Sequence, residues 1–233
     1  MKLLVCSAIL LFFCIGLHAQ MDFGVKMGYN IATGIYSPKD KVGVKSISAF
    51  QVGILSEIEI NRILFSSNLL FSQKGNYLDD TKNNVDAGNM VTYRLNYLET
   101  DLLLGYRFKL SSNSDLSVTV GPYIGIGLSG TEKGKGTLFG GPLNIDRKIY
   151  FSNSKNSTYT QNYIRPIDFG LDFNASLKYK KYFLYLNFNR GFSKRGILDY
   201  SSTISKNQVL SIGFGYLFKT RKKISKVACY NGK

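Results

Sequence analysis

The stretch Val209 to Phe218, VLSIGFGYLF, places a bulky apolar residue at every second position. Leu210, Ile212, Phe214, Tyr216 and Phe218 share one parity; Val209, Ser211, Gly213, Gly215 and Leu217 share the other. A period of two marks a β-strand, whose successive side chains point to opposite faces. Here one face is bulky and the other mostly small. The bulky face ends in aromatics beside Lys219, as expected where a strand leaves a membrane for its polar interface. Near the C-terminus, such a strand can pair with the first one, close a barrel and remove both sheet edges.

The 233 residues suffice for one domain. Residues 1–19 read as a cleaved signal peptide. Met1-Lys2 is a short positive start, Leu3 to Gly16 is an apolar run, and Leu17-His18-Ala19 forms the cleavage site. The run is short for a spanning helix, which needs about 20 residues. Cleavage removes Cys6, Cys14 and the sole histidine, His18. The mature chain keeps Cys229 alone among cysteines, so no intramolecular disulfide is possible. No later segment has the length and apolarity of a membrane helix, which directs attention to strands. The formal charge of +15 suits a soluble basic β-protein as well as one that meets anionic lipid.

Seven more alternating segments precede the last one: Asp22 to Ala32, Phe50 to Ile60, Ile63 to Gln73, a fourth marked by Leu98 to Phe108, Leu116 to Ser129, Ile167 to Lys178, and Tyr182 to Asn189. Pro122 interrupts the fifth, since proline cannot donate to a ladder, and a bulge is expected there. Short turns at Asn61-Arg62, Ser111 to Ser114 and Lys180-Lys181 alternate with longer polar connections, including 75–92 and 130–163. The fold class expected is all-β: an eight-stranded antiparallel up-and-down transmembrane β-barrel over 20–219, followed by a basic periplasmic tail, 220–233.

A soluble barrel of lipocalin type shares this periodicity but turns its apolar face inward. Charge placement separates the two. Lys26, Glu57, Glu59, Glu99, Asp101, Arg107, Asp168 and Asp172 all fall on the non-apolar face, predicting a polar network inside the barrel. The bulky face is nearly free of charge in mid-strand, as lipid requires. Phe23, Tyr106, Phe108, Tyr182, Tyr216 and Phe218 fall at the periplasmic ends of the outward faces, predicting an aromatic girdle.

The same residues bear on chemistry. The inward carboxylates suit an ion-pair network with Lys26 and Arg107 better than a catalytic dyad, because unpaired buried charge is costly. With no histidine in the mature chain, the usual proton shuttle for lipase or protease chemistry is missing, as is a His/Cys metal site. No catalytic, cofactor or metal residues are predicted, and the chain is not read as an enzyme. The segment GTEKGKGTLFGG (130–141) lacks phosphate-loop spacing and reads as a surface loop. Loop cations Lys39, Lys41, Lys45, Lys133, Lys135, Arg147, Lys148, Lys194 and Arg195 are candidates for contacting lipopolysaccharide phosphates. The tail cations Arg221, Lys222, Lys223 and Lys226 suit anionic inner-leaflet headgroups. A nucleic-acid partner is not expected of an exported chain.

Across DFGVKMGYN (22–30), LLFSQKGNY (69–77), NYLETDLLLGYRF (96–108), GPYIGIGL (121–128) and DFGLDFNASLKY (168–179), the chain resembles the porin-family barrels of Bacteroidetes related to PorT, the outer membrane protein beta-barrel domain group. Members of that group often read Ile-Pro where this chain has Thr100-Asp101, which adds an inward carboxylate. The resemblance implies location in the outer membrane, contact with outer-membrane lipid and lipopolysaccharide and, for one branch, a part in protein secretion or gliding beside other envelope proteins. It supplies no catalytic residues. The competing function is a small porin-like pore. An eight-stranded interior is just wide enough for side chains to fill, and Tyr97, Tyr123, Phe183 and Tyr185 point into it, so a structural or interaction role is expected instead.

Overall fold

The computed structural model describes residues 21–37, 43–79, 90–138, 141–152, 161–195 and 204–218. They form β1 (Met21–Ser37), β2 (Gly43–Lys45), β3 (Ile47–Ile60), β4 (Ile63–Asp79), β5 (Met90–Lys109), β6 (Ser114–Leu138), β7 (Gly141–Phe151), β8 (Gln161–Ile164), β9 (Ile167–Tyr179), β10 (Tyr182–Gly191) and β11 (Ile204–Phe218). Among the described residues, no helix is long and apolar enough to cross a membrane. The proposed signal peptide and the whole of the basic tail, 220–233, lie outside the described residues.

Eight of the strands pair in an unbroken antiparallel cycle. β1 pairs with β3, β3 with β4, β4 with β5, β5 with β6, β6 with β9, β9 with β10 and β10 with β11. β11 then returns to β1, with Phe23 opposite Phe218 and Ser37 opposite Ile204. The stretch Val209 to Phe218 thus joins the two ends of the chain.

The turns at one end follow from local chemistry. Asn61 and Arg62 both adopt positive φ, 50° and 73°, the geometry of a two-residue turn matched to strand twist. At the second turn, the Ser111 hydroxyl accepts from the backbone N–H groups of Asn113 and Ser114 at 3.3 and 3.1 Å. Lys180, with φ 56°, opens the third.

Burial is inverted relative to a water-soluble barrel. The outward residues of β1 (Phe23, Val25, Met27, Tyr29 and Ile31) are 43–51% exposed. Their inward neighbours Lys26 and Asn30 are 4% and 0% exposed. The same contrast runs round the ring, with Ile54, Leu102, Ile124, Phe169, Leu184 and Ile212 outside.

Three expectations are corrected. Eleven strands are present among the described residues rather than eight, because β2, β7 and β8 lie in segments read as loops. β4, β5 and β6 also run well into the stretches 75–92 and 130–163: β5 has 20 residues and β6 has 25. The segments there still pair as hairpins, Met90 with Lys135 and Asp79 with Met90, and on β5 the apolar parity moves to the inner face, where Val91, Leu95 and Tyr97 are buried. Finally, the β5–β6 register is the same on both sides of Pro122, from Asp101↔Tyr123 to Leu104↔Val120, so the ladder skips two pairs without a bulge. The shift occurs at Leu128 instead, between Asn96↔Ser129 and Tyr97↔Gly127. It exchanges the faces of β6, so that Glu132 turns inward.

Met27 lies mid-strand on the bare outer face, between Phe214 and Val52. Replacing it by arginine is expected to cost about 2–4 kcal/mol in the unfolding free energy of barrel refolded into phospholipid vesicles. A denaturant titration of wild type against Met27→Arg checks this.

Candidate functional site

The inward faces meet in layers. At the tight-turn end, Arg107 of β5 pairs with Glu57 at 2.5 Å and Glu59 at 2.8 Å, both on β3. Lys178 pairs with Asp115 at 3.5 Å. These residues floor an open vestibule of about 800 Å³, rimmed by turn residues such as Arg62, Ser112 and Lys180.

Above it the small face of β11 makes room for aromatic rings. A Cβ at Gly215 would lie 2.2 Å from the Phe183 ring, and one at Gly213 would lie 2.5 Å from the Tyr185 hydroxyl. Phe183 and Tyr185 therefore pack inside the ring of strands with Leu55 and Leu217. Gln51 donates to the Tyr185 hydroxyl at 2.9 Å, and Lys26 lies 4.4 Å from that ring's centroid. Asn68 donates to both oxygens of Asp101, at 2.7 and 2.9 Å.

The next layer centres on Lys74 of β4. Its ammonium is 2.5 Å from Glu99 and 3.1 Å from Asp168, and it lies 4.3 Å from the centroid of Tyr123. It also donates to Asn189 at 3.3 Å, and Asn189 donates in turn to Glu99 at 3.0 Å. Asp168 accepts further bonds from Tyr123 at 3.2 Å, Asn207 at 2.9 Å and Ser193 at 2.5 Å. Such a cluster survives burial because every charge is both paired and hydrogen-bonded. Toward the other end, Arg195 donates to Asn76 at 2.7 Å. Leu95, Tyr97, Ile149 and Ile164 pack together beside Phe151.

Of the eight residues predicted for the interior, Lys26, Glu99, Asp101, Arg107, Asp168 and Asp172 are buried, Glu57 is half-buried and Glu59 is exposed at the vestibule. They do not form one network. Glu57, Glu59 and Arg107 join at the vestibule, whereas Glu99 and Asp168 meet only through Lys74. Lys26 makes no ion pair within 4.0 Å among the described residues and sits over Tyr185. Lys74, Asn189, Asn207 and Ser193 were missed. The signal for Lys74 was its parity with Asn68 and Ser72 on β4, one residue beyond the expected strand end at Gln73. Arg195, expected as a loop cation, is corrected: it is 6% exposed and held by Asn76 within the barrel. Loop cations Lys39 and Lys41 lie outside the described residues.

The six aromatics of the expected girdle all lie outward and near the tight-turn end. Phe23 opposes Phe218, and Tyr182 opposes Tyr216. Ring centroids are 4.8 Å apart for Tyr106–Phe108, 5.2 Å for Tyr182–Tyr216 and 5.2 Å for Tyr216–Phe218, all edge to face.

A cycle of strands, apolar outside and ionised inside, is the arrangement of a bacterial outer-membrane protein. The chain belongs to the outer membrane protein beta-barrel domain family, whose model matches residues 18–195. Solved structures similar to it include Ail, the attachment invasion locus protein of Yersinia pestis, with 14% identity over 85% of this chain and 99% of that one and a TM-score of 0.37. Neisserial surface protein A (NspA) matches at 13% identity, over 83% and 96% of the two chains, with a TM-score of 0.40. OprG from Pseudomonas aeruginosa matches at 14% identity, over 86% and 97%, with a TM-score of 0.45. A search of the curated proteins found no match.

Removing Lys74 leaves two carboxylates buried without their cation. Lys74→Met is expected to cost about 3–5 kcal/mol of unfolding free energy. Lys45→Met, which breaks the exposed pair with Asp79 at 3.3 Å, is expected to cost under about 1 kcal/mol. Parallel denaturant titrations of the two variants measure the difference.

Proposed function

We propose that the eight paired staves span the outer membrane as a sealed up-and-down barrel of structural or interaction type. The observation that carries this reading is the inversion of burial, with Lys26, Lys74, Glu99, Asp101, Asp168 and Asp172 inside and a continuous apolar band outside. In this reading the signal peptide, 1–19, is removed on export. The tight turns, both chain ends and the basic tail face the periplasm, and the girdle aromatics sit in the inner interface. The long hairpins face outward, where Lys133, Lys135 and Lys148 are exposed and suited to lipopolysaccharide phosphates. A PorT-like contribution to secretion, or contact with another envelope protein, would use these hairpins rather than the lumen.

The packed interior favours this role over a solute pore. Phe183, Tyr185, Leu55 and Leu217 fill the cross-section below the Lys74 cluster, itself closed by hydrogen bonds. Glu57, Glu59, Glu99 and Asp168 are engaged by Arg107 and Lys74, and the mature chain in this reading carries no histidine, so the chain is read as non-enzymatic.

In planar bilayers the purified protein is expected to show no stable conductance of general-porin size; sustained channels of that size would restore the pore. Sidedness is checked by a bulky membrane-impermeant maleimide. Cys229, beyond the end of β11 and outside the described residues, is expected to stay unlabelled on intact cells and to react once the outer membrane is permeabilised. Lys133→Cys, in the β6–β7 hairpin, is expected to react on intact cells. Reduced, denatured protein must label at both positions. For the secretion role, a deletion strain that exports its secreted proteins at the normal level would reject the PorT-like assignment.

A further inference from the structure

The chain does not leave the wall where β10 ends. The Phe192 N–H donates to the Phe169 carbonyl at 2.8 Å, and the Arg165 N–H donates to the Arg195 carbonyl at 3.0 Å, so residues 192–195 stay beside the start of β9. Two side chains fix the phase of this segment from inside. Ser193 donates to Asp168 at 2.5 Å and Arg195 donates to Asn76 at 2.7 Å, and both residues are buried. With 193 and 195 held inward, Phe192 and Lys194 are turned to the outer face, where both are exposed. Arg165, Ile167 and Phe169 are exposed beside them. Together these side chains line an open outer groove of about 500 Å³.

The height of the groove is set by the strands. Phe192 lies ten residues beyond Tyr182 of the aromatic girdle. At about 3.4 Å per residue and a tilt of about 40°, that is about 26 Å along the barrel axis, the height of the apolar band of such a barrel. Lys194 and Arg165 therefore stand just above the band, and the rings of Phe169 and Phe192 close its upper edge. The bond from Arg165 to Arg195 keeps the two cations side by side, since Arg195 follows Lys194 directly.

The groove is also a site of unbalanced charge. No acid lines it, and neither Arg165 nor Lys194 makes an ion pair within 4.0 Å among the described residues. Cations elsewhere beyond the band are partnered: Lys45 pairs with Asp79 at 3.3 Å and Lys133 with Asp146 at 3.7 Å. Two unpaired cations over three apolar side chains complement a lipid with an anionic head, not an acidic peptide, which would leave the apolar wall below uncovered.

We propose that Arg165 and Lys194 hold one phosphate of a lipid A molecule while one of its acyl chains lies along Ile167, Phe169 and Phe192. The inference rests on the sidedness proposed above, which puts this groove in the outer leaflet. The guanidinium fork suits two phosphate oxygens at once, and the ammonium adds a point charge beside it. Because Ser193 and Arg195 are anchored in the lumen, Lys194 is presented at a fixed height before the lipid arrives, which lowers the ordering cost of binding.

The test refolds the full mature chain in detergent free of lipopolysaccharide and checks barrel formation by the faster migration of the unboiled sample on SDS gels. Bis-phosphorylated lipid A, its dephosphorylated form and phosphatidylglycerol are titrated separately, and binding is read by native mass spectrometry. Wild type is expected to hold one lipid A molecule and to bind the other two lipids about tenfold more weakly or worse. Arg165→Gln and Lys194→Gln are each expected to weaken lipid A binding about tenfold. Lys109→Gln, which removes the same charge at the tight-turn end, keeps the wild-type affinity. Equal binding of the dephosphorylated form or of phosphatidylglycerol would overturn the proposal, as would equal binding by wild type and the Arg165 and Lys194 variants. A folded barrel that binds no lipid A would overturn the site and leave the membrane reading standing. A chain that folds and stays monomeric without detergent would overturn both.

Discussion

An unsatisfied backbone N–H or C=O in hydrocarbon costs several kcal/mol, and the ladder between β1 and β11 is where this chain removes the last of them. The rest of the structure follows from closing there. Register must match from Phe23↔Phe218 to Ser37↔Ile204, which fixes the lean of every stave between. Closure also forces a narrow lumen. With eight staves, whatever points inward must fill the space, and whatever points outward must suit lipid. The small residues Gly213 and Gly215 on the closing strand therefore do more than finish the sheet. They give up the volume that Phe183 and Tyr185 occupy, so the strand that closes the ring of strands also makes room for two aromatic rings inside it.

Filling a lumen with polar groups carries a cost that an apolar core does not. A buried charge must be paired on several sides at once, and one ammonium shared between two carboxylates meets that need better than isolated pairs. Lys74 does this from β4, reaching Glu99 on β5 and Asp168 on β9. Asp168 then gathers Asn207 from β11, Tyr123 from β6 and Ser193 from the segment after β10. Elements far apart in sequence are tied at one carboxylate. The connection between β10 and β11 is drawn inward where it leaves the ring, because Ser193 and Arg195 both bond within the barrel.

Strand phase was legible in the sequence wherever lipid faces one side. Leu210, Ile212 and Phe214 must be apolar, and Ser211 and Gly213 need not be, so the alternation is strong. Beyond the apolar band the outer side of a hairpin meets water, and on β5 the apolar residues change to the inner parity (Val91, Leu95 and Tyr97), so the outward rhythm stops. This is why β4 was expected to end at Gln73 and β6 near Ser129, although both continue as paired strands. Lys74 was lost with that boundary. The following residue, Gly75, with φ 147°, resembles a loop glycine in sequence; in the structure it lets the Tyr93 carbonyl approach to where a Cβ would stand. Parity assigns the carboxylates to one face of each strand but says nothing of their partners. Pairing across the lumen depends on how far each stave is sheared against the next, and alternation along one strand holds no information about that. The shift at Leu128 shows the limit, since a single extra residue moved Glu132 to the inner face.

On the proposed reading of a sealed barrel, function moves to the two ends. At the tight-turn end the rim is short and basic, and its acids are held by Arg107. At the other end β5 and β6 extend past the ring, and β2, β7 and β8 add to the wall they form. Extra strands outside the ring do not help it close. They add backbone hydrogen bonds to segments that would otherwise be long loops, and so hold a defined surface at the end opposite the tight turns. Tyr150, Lys148 and Asp146 present mixed apolar and charged chemistry there on a strand rather than on a flexible loop, which lowers the ordering entropy that a partner must overcome. On that reading, the wall built by these hairpins is the part of the molecule free to specialise.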